Sequence, residues 1–223
     1  MTFFLPAPVP RVKLCGFTSE SDAAAALDAG ADALGINFWP GSKRFVPPDN
    51  ASPWLGRLAG RICRVGLFVE PDLDQIAATV DLGVLDALQL HGVTDPDFVE
   101  DTMSYGLPVI LALAMGPDGP TQDPGRFPTR WMLLDTHVPG AFGGTGRTFD
   151  WAAFSRVAAA HPDRRFLLAG GLTPENVRAA IRATAPHLHA VDTASGVESS
   201  PGVKDAGRMR AFVDAVRSPA NPD

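Results

Sequence analysis

Short apolar runs alternate along the chain with longer Ala-rich stretches in which polar residues return every three or four positions. The apolar runs are residues 12–15, 33–38, 64–69, 87–90, 109–113, 131–134, 166–169 and 190–192. Each is too short for a helix and too continuously apolar for a strand with one wet face, so each predicts a strand of parallel sheet buried on both faces. Helix signals stand between them. Thr18-Ser19-Glu20 opens a helix over 21–29 that stops at Gly30, and Glu70-Pro71-Asp72 opens one that ends near Gly83. Thr173-Pro174-Glu175 opens a helix over 176–184, with proline in its first turn, and a last helix covers 205–216. The fifth unit interrupts the pattern. Residues 115–129 are rich in Gly, Pro and Asp, which predicts a short, irregular or missing helix. Eight strands interleaved with helices predict the α/β class and a single (β/α)8 TIM barrel, an eight-stranded parallel barrel. No GxGxxG turn follows the first strand, which counts against an open dinucleotide-binding sheet. The expected catalytic domain is 11–217, with a flexible N-terminal arm at 1–10 and a flexible tail at 218–223.

Charge changes the picture by exclusion. A net charge of −6 gives no electrostatic support to a nucleic-acid or anionic-membrane partner. A pocket for one small anion needs only a few groups and stays open. No apolar run approaches the roughly 18 residues of a membrane span. The first ten residues lack the basic start of a signal peptide. The two cysteines, Cys15 and Cys63, show neither CxxC nor metal-ligand spacing, and a reducing, cytoplasmic setting is expected.

In a barrel of this kind the loops after the strands converge over one mouth, and chemistry gathers there. Cys15 ends strand one, Arg44 follows strand two, His91 follows strand four and Asp135 follows strand six. Each alone reads equally as a core thiol, a surface charge or a turn residue; their common place relative to the strands is the stronger signal. Cys63 begins its strand, so it belongs to the opposite mouth. After Asp135 comes a long glycine-rich loop, 137–150, the length and composition of a lid, which includes Gly144. Gly170 and Gly171 follow strand seven, and Ser195 and Gly196 follow strand eight. Glycines there let backbone N–H groups approach an anion, in the two loops where barrels bind phosphate.

These segments occur together in one known family. VKLCGFTSESDA, GADALGINFWPGSKRFV, VGLFVEP, LDALQLHG, LLDTHVPGAFGGTGRTFDW, LLAGGLTPENV and DTASGVESSPGVKD resemble, in order, the signature segments of the phosphoribosylanthranilate isomerases over about residues 11–216. The resemblance implies an Amadori rearrangement of N-(5-phosphoribosyl)anthranilate in tryptophan biosynthesis, with no metal or redox cofactor. It implies Cys15 as general base and Asp135 as general acid, and Arg44 as partner of the anthranilate carboxylate. Gly171, Ser195 and Gly196 match the phosphate-gripping loops, with Gly170 and Gly144 also expected at the substrate, and His91 in a positioning role. The expected partner is a phosphorylated small molecule, with no nucleic acid or membrane, for a monomer or homodimer. Three departures from the family pattern are Ala194, Asn37 and the longer arm before Arg11. Three other readings compete. An aminoaldose isomerase of the histidine pathway resembles a scheme with aspartates as both acid and base. An indole-glycerol-phosphate synthase needs a catalytic lysine, and Lys13 lies inside strand one. A non-catalytic phosphate-binding barrel has no reason to retain Cys15, Arg44 and Asp135 together.

Overall fold

In the computed structural model, which describes residues 2–116, 119–136 and 150–218, all eight expected strands form. They are β1 (Arg11–Cys15), β2 (Ala33–Asn37), β3 (Cys63–Val69), β4 (Ala87–His91), β5 (Val109–Gly116), β6 (Trp131–Thr136), β7 (Arg165–Leu168) and β8 (Leu188–Thr193). Neighbours pair in parallel in the order β4-β3-β2-β1-β8-β7-β6-β5, and a β4–β5 pairing closes the ring. The outcome is the expected (β/α)8 barrel.

Alternation along the strands decides what faces where. Leu14, Leu34, Ile36, Phe68, Leu88 and Leu134 point out to the helices and form the large core. The opposite parity lines the barrel. Its lower part is apolar, with Ala33, Cys63, Val65, Ala87, Ile110, Leu133, Leu167 and Ala190 in one cluster. Its upper part carries Lys13, Gln89, Asp192 and His91, all buried. A barrel interior filled with side chains is a core rather than a pore, and the change from apolar to polar along its axis gives the two mouths different chemistry.

The helices are α1 (Glu20–Asp28), α2 (Pro48–Arg57), α3 (Leu73–Val80), α4 (Pro96–Met103), α5 (Trp151–Ala160), α6 (Val177–Thr184) and α7 (Ala206–Arg217). Side-chain caps fix several starts: Ser19 accepts from the Asp22 N–H, Asp72 from Gln75 and Asp205 from Arg208. The helix expected from Asn176 begins at Val177. The Asn176 side chain is used instead to accept from the Thr173 N–H and donate to the Gly171 carbonyl, which ties the loop after β7 to itself. Between β5 and β6 the described chain holds only a short strand, Gly119–Pro120, and one 3-10 turn, Pro124–Arg126, so the irregular fifth unit is as the glycines and prolines predict.

The opening arm differs from the expectation of a loose segment. Phe3 is fully buried among the small residues of the lower barrel, Ala33, Ala87 and Ala190, which leave room for its ring. Its carbonyl lies 2.8 Å from His189 Nε2, and the Phe4 ring packs edge-on to Trp131 at 4.7 Å. The arm thus plugs the N-terminal mouth. Among the described residues no helix is long and apolar enough to cross a membrane.

Candidate active site

At the C-terminal mouth, Cys15 ends β1 with Gly35 of β2 beside it in register. A Cβ on Gly35 would lie 2.6 Å from the Cys15 sulfur and 3.1 Å from Lys13 Nζ, so only glycine leaves space for both. Lys13, two residues back and on the same inner face, is fully buried and pairs with Asp192 Oδ1 at 2.8 Å. Burial alone lowers a lysine's pKa. Here Asp192 and the Cys15 thiol outweigh it, and the Lys13 ammonium is held firmly charged. Burial sets the direction and pushes the Cys15 thiol above its ordinary range, while the Lys13 and Lys204 ammonium groups pull against it.

Asp135 is the penultimate residue of β6, three strands round the ring from β1, so acid and thiol flank the barrel axis. Its Oδ1 accepts from the Thr136 N–H at 2.7 Å. Although partly exposed at the mouth, the carboxyl is enclosed by enough protein that burial, reinforced by the Asp192 charge, pushes it up to about 7; the Thr136 N–H and Lys13 act against the shift. Gly170, with φ of 88°, sits directly beneath: a Cβ there would collide with Thr136 and come within 3.1 Å of Asp135 Oδ1. Gly170 therefore backs the acid and does not line the cavity described below.

Arg44 reaches the mouth because Asn37 shapes the turn after β2, its Oδ1 accepting from the Trp39 N–H at 2.9 Å. Gly16 is the second requirement, since a Cβ there would strike the Arg44 side chain. The guanidinium grips Glu198 through Nε and Nη2, both at 2.7 Å. Glu198 also accepts from Lys204 Nζ at 2.8 Å, and these two cations hold its carboxyl below the usual range despite burial. Lys204 Nζ further donates to the Cys15 and Ala194 carbonyls, lacing the ends of β1 and β8 together. His91 stands at the end of β4, 2.7 Å from the Gln89 amide nitrogen. Burial and Lys13 lower its imidazole to about 3, so it is neutral and cannot serve as a cation.

Gly171, Ser195 and Gly196 meet with Leu172, Thr173, Glu175 and Arg208 around a cavity of about 290 Å³. Thr193 Oγ1 donates to the Leu172 carbonyl at 2.7 Å, and a Cβ on Gly196 would collide with that carbonyl. The two loops are thus locked against each other at the cavity. A larger hollow of about 520 Å³ lies at the opposite mouth between the arm, Trp131 and His187, but neither thiol nor carboxylate lines it. Gly144 and the expected lid at 137–149 lie outside the described residues. Among those described, no three His, Cys, Asp or Glu side chains gather to hold a metal ion.

The structure thus brings Cys15, Arg44, His91 and Asp135 to one mouth. Sequence reasoning did not assign Lys13, Asp192, Glu198, Lys204 or Arg208. Lys13 had a signal: it shares the parity of Cys15, so both point inward. Glu198 and Lys204 had none, because nothing local shows that a hairpin folds them back onto β1.

A family model described as N-(5'-phosphoribosyl)anthranilate (PRA) isomerase matches residues 12–215. The N-(5'-phosphoribosyl)anthranilate isomerase of Magnetococcus marinus is 43% identical over 207 residues, covering 93% of this chain and 95% of that one. The crystal structure of phosphoribosyl anthranilate isomerase from Thermus thermophilus superposes with a TM-score of 0.80 at 34% identity, covering 92% and 97% of the two chains. A phosphoribosyl anthranilate isomerase in complex with reduced 1-(o-carboxyphenylamino)-1-deoxyribulose 5-phosphate gives a TM-score of 0.74 at 32% identity, covering 93% and 98%.

Proposed function

The chain belongs to the N-(5'-phosphoribosyl)anthranilate isomerase family, an aldose–ketose isomerase of tryptophan biosynthesis, and from that premise we propose how its own residues divide the reaction. Asp135 is the general acid. It gives its proton to the furanose ring oxygen of N-(5-phosphoribosyl)anthranilate as the C1′–O bond breaks, and the anilino nitrogen supplies the electron pair that makes the Schiff base. Cys15 as thiolate is the general base. It takes the C2′ proton, the C–H electrons form the C1′–C2′ double bond, and the nitrogen is neutralised to an enolamine. Loss of the enol proton and return of a proton to C1′ give the aminoketose. Both steps are proton transfers between positioned groups.

The observation that carries this reading is the meeting at one mouth of a carboxyl that burial pushes up to about 7 with a thiol that faces the Lys13 ammonium. Gly171, Ser195 and Gly196 hold the phosphate through backbone N–H groups, and His91 positions substrate as a neutral imidazole. Arg44 meets the anthranilate carboxylate with the part of its fork that Glu198 does not occupy, Glu198 holding the guanidinium in plane. The protein works in the cytoplasm on this phosphorylated substrate, as a monomer or homodimer, with 11–217 as its catalytic domain; both cysteines are free, which suits a reducing compartment.

Turnover is followed by the loss of anthranilate-type fluorescence on addition of phosphoribosylanthranilate. The wild type consumes it, and Cys15→Ser and Asp135→Asn do not while keeping their folded spectra. Near-normal turnover by either variant removes that residue from the mechanism.

A further inference from the structure

Lys13 is a fully buried cation that the acid–base scheme leaves idle. A buried ion pair is weak evidence for stability, since desolvation offsets the attraction. Its partner Asp192 stands directly across in register on β8 and holds Nζ at 2.8 Å. A pair of this kind needs no third member, yet here one is present. The Cys15 sulfur faces the same ammonium: both atoms converge on the spot left open by Gly35, 2.6 Å and 3.1 Å from where a Cβ would stand.

We propose that Lys13 is a positioning residue of the isomerisation, its ammonium anchored by Asp192 and set against the Cys15 sulfur so that the thiol works as a thiolate. The proposal rests on the reading of Cys15 as the base. Four charged groups face Cys15: Lys13 from its own strand, Asp192 from β8, Lys204 from the hairpin strand Val203–Lys204, and Arg44 from the loop after β2. Burial is the largest influence, opposes ionisation and leaves the thiol above its ordinary range, so the charges work against that penalty. Lys13 is the largest charge that favours ionisation, larger than the opposing Asp192, and Lys204 adds to it. The polarity of the pair also suits the acid, because the Asp192 charge helps keep Asp135 protonated. An oriented pair of this kind acts as a fixed dipole that needs no reorganisation during the reaction.

The test is an ultraviolet titration of the Cys15 thiolate, each protein read against its own Cys15→Ser counterpart, beside kcat/KM at neutral pH. The variants are Lys13→Met and the charge-neutral pair Lys13→Met with Asp192→Asn, which leaves no unpaired buried carboxylate should the single variant fail to fold. The Cys15 midpoint moves up by at least about one pH unit in a folded variant, and kcat/KM falls about tenfold per unit, in step with the lost thiolate. An unchanged midpoint overturns the proposal even if turnover is lost, because a structural role alone would cost activity without moving the thiol. Near-normal turnover by Cys15→Ser overturns the reading of the base instead, and the titration distinguishes the two failures.

Discussion

Cys15 and Cys63 are both free, both buried, and both carried on the inner wall of the same barrel. One ends β1 and the other begins β3, so they occupy opposite mouths. Around Cys63 the neighbours are Phe3, Ala33, Val65 and Ala87, and burial pushes its thiol up to about 12. The Asp86 charge pushes the same way, with Lys13 and Arg64 acting against it. Around Cys15 the wall turns polar, and ammonium, carboxylate and guanidinium groups converge. Burial by itself makes a thiol inert. Burial raises both thiols, and what separates the two is the leading charge beside each: the Lys13 ammonium, which favours the Cys15 thiolate, and the Asp86 carboxylate, which opposes that of Cys63. The same contrast runs through the whole barrel, whose N-terminal mouth is closed by an aromatic side chain while the C-terminal mouth keeps ionisable groups in unusual states.

The sharpest way to break this comparison is to remove each sulfur in turn. Cys15→Ser loses about 10²–10⁴-fold in kcat, the range for loss of a general base, whereas Cys63→Ala keeps kcat and KM. Equal losses in a steady-state assay would make the two mouths alike. Phe3→Ala probes the closed end: truncating a fully buried Phe costs about 3–5 kcal/mol, read as a lower denaturant midpoint, with kcat and KM unchanged. A loss of turnover in the still-folded variant would show that the plug reaches the chemistry.

Asp135→Asn probes the open end from the opposite side. The folded-state pKa of Asp135 lies at about 7, above the ordinary value of about 3.9. The native state therefore binds its proton more tightly, and stability falls as pH rises between those values. Asparagine has no proton to lose. The variant is therefore more stable than the wild type at pH values above about 7, by up to roughly 2–4 kcal/mol, with the difference vanishing below about pH 4. Chemical denaturation at several pH values checks this, and a pH-independent difference contradicts it. Arg44→Ala has the smallest effect, a loss of about 1.5–3 kcal/mol from a charge-assisted contact. It appears as a higher KM and lost discrimination against an analogue without the carboxylate. Unchanged preference between the two ligands would place the carboxylate elsewhere.

The barrel was legible because its strands are short apolar runs at regular spacing, and because glycines and prolines mark the irregular fifth unit as plainly as caps mark α1 and α3. That Cys15, Arg44, His91 and Asp135 stand at one mouth was legible from their places after strands. The arm was misread: prolines in a ten-residue stretch signal a loop, but nothing local tells that Ala33, Ala87 and Ala190 leave a hole for Phe3 at the base of the barrel. The electrostatics were not legible either. Lys13 and Asp192 are 179 positions apart in sequence, and their 2.8 Å contact exists only once β8 closes against β1. Glu198 is 154 positions from Arg44 and meets it through a hairpin. Periodicity places residues on faces; long-range pairing decides their protonation.

The most direct measurement of the central claim is the titration of the Asp135 carboxyl itself, by infrared difference spectra of wild type against Asp135→Asn. The account predicts a protonated carboxyl band that titrates with a midpoint at about 7, so that the acid is loaded when substrate arrives. A midpoint in the ordinary range, at about 4, would mean that the C-terminal mouth does not hold its acid protonated, and the contrast between the two ends of the barrel would lose its chemical meaning.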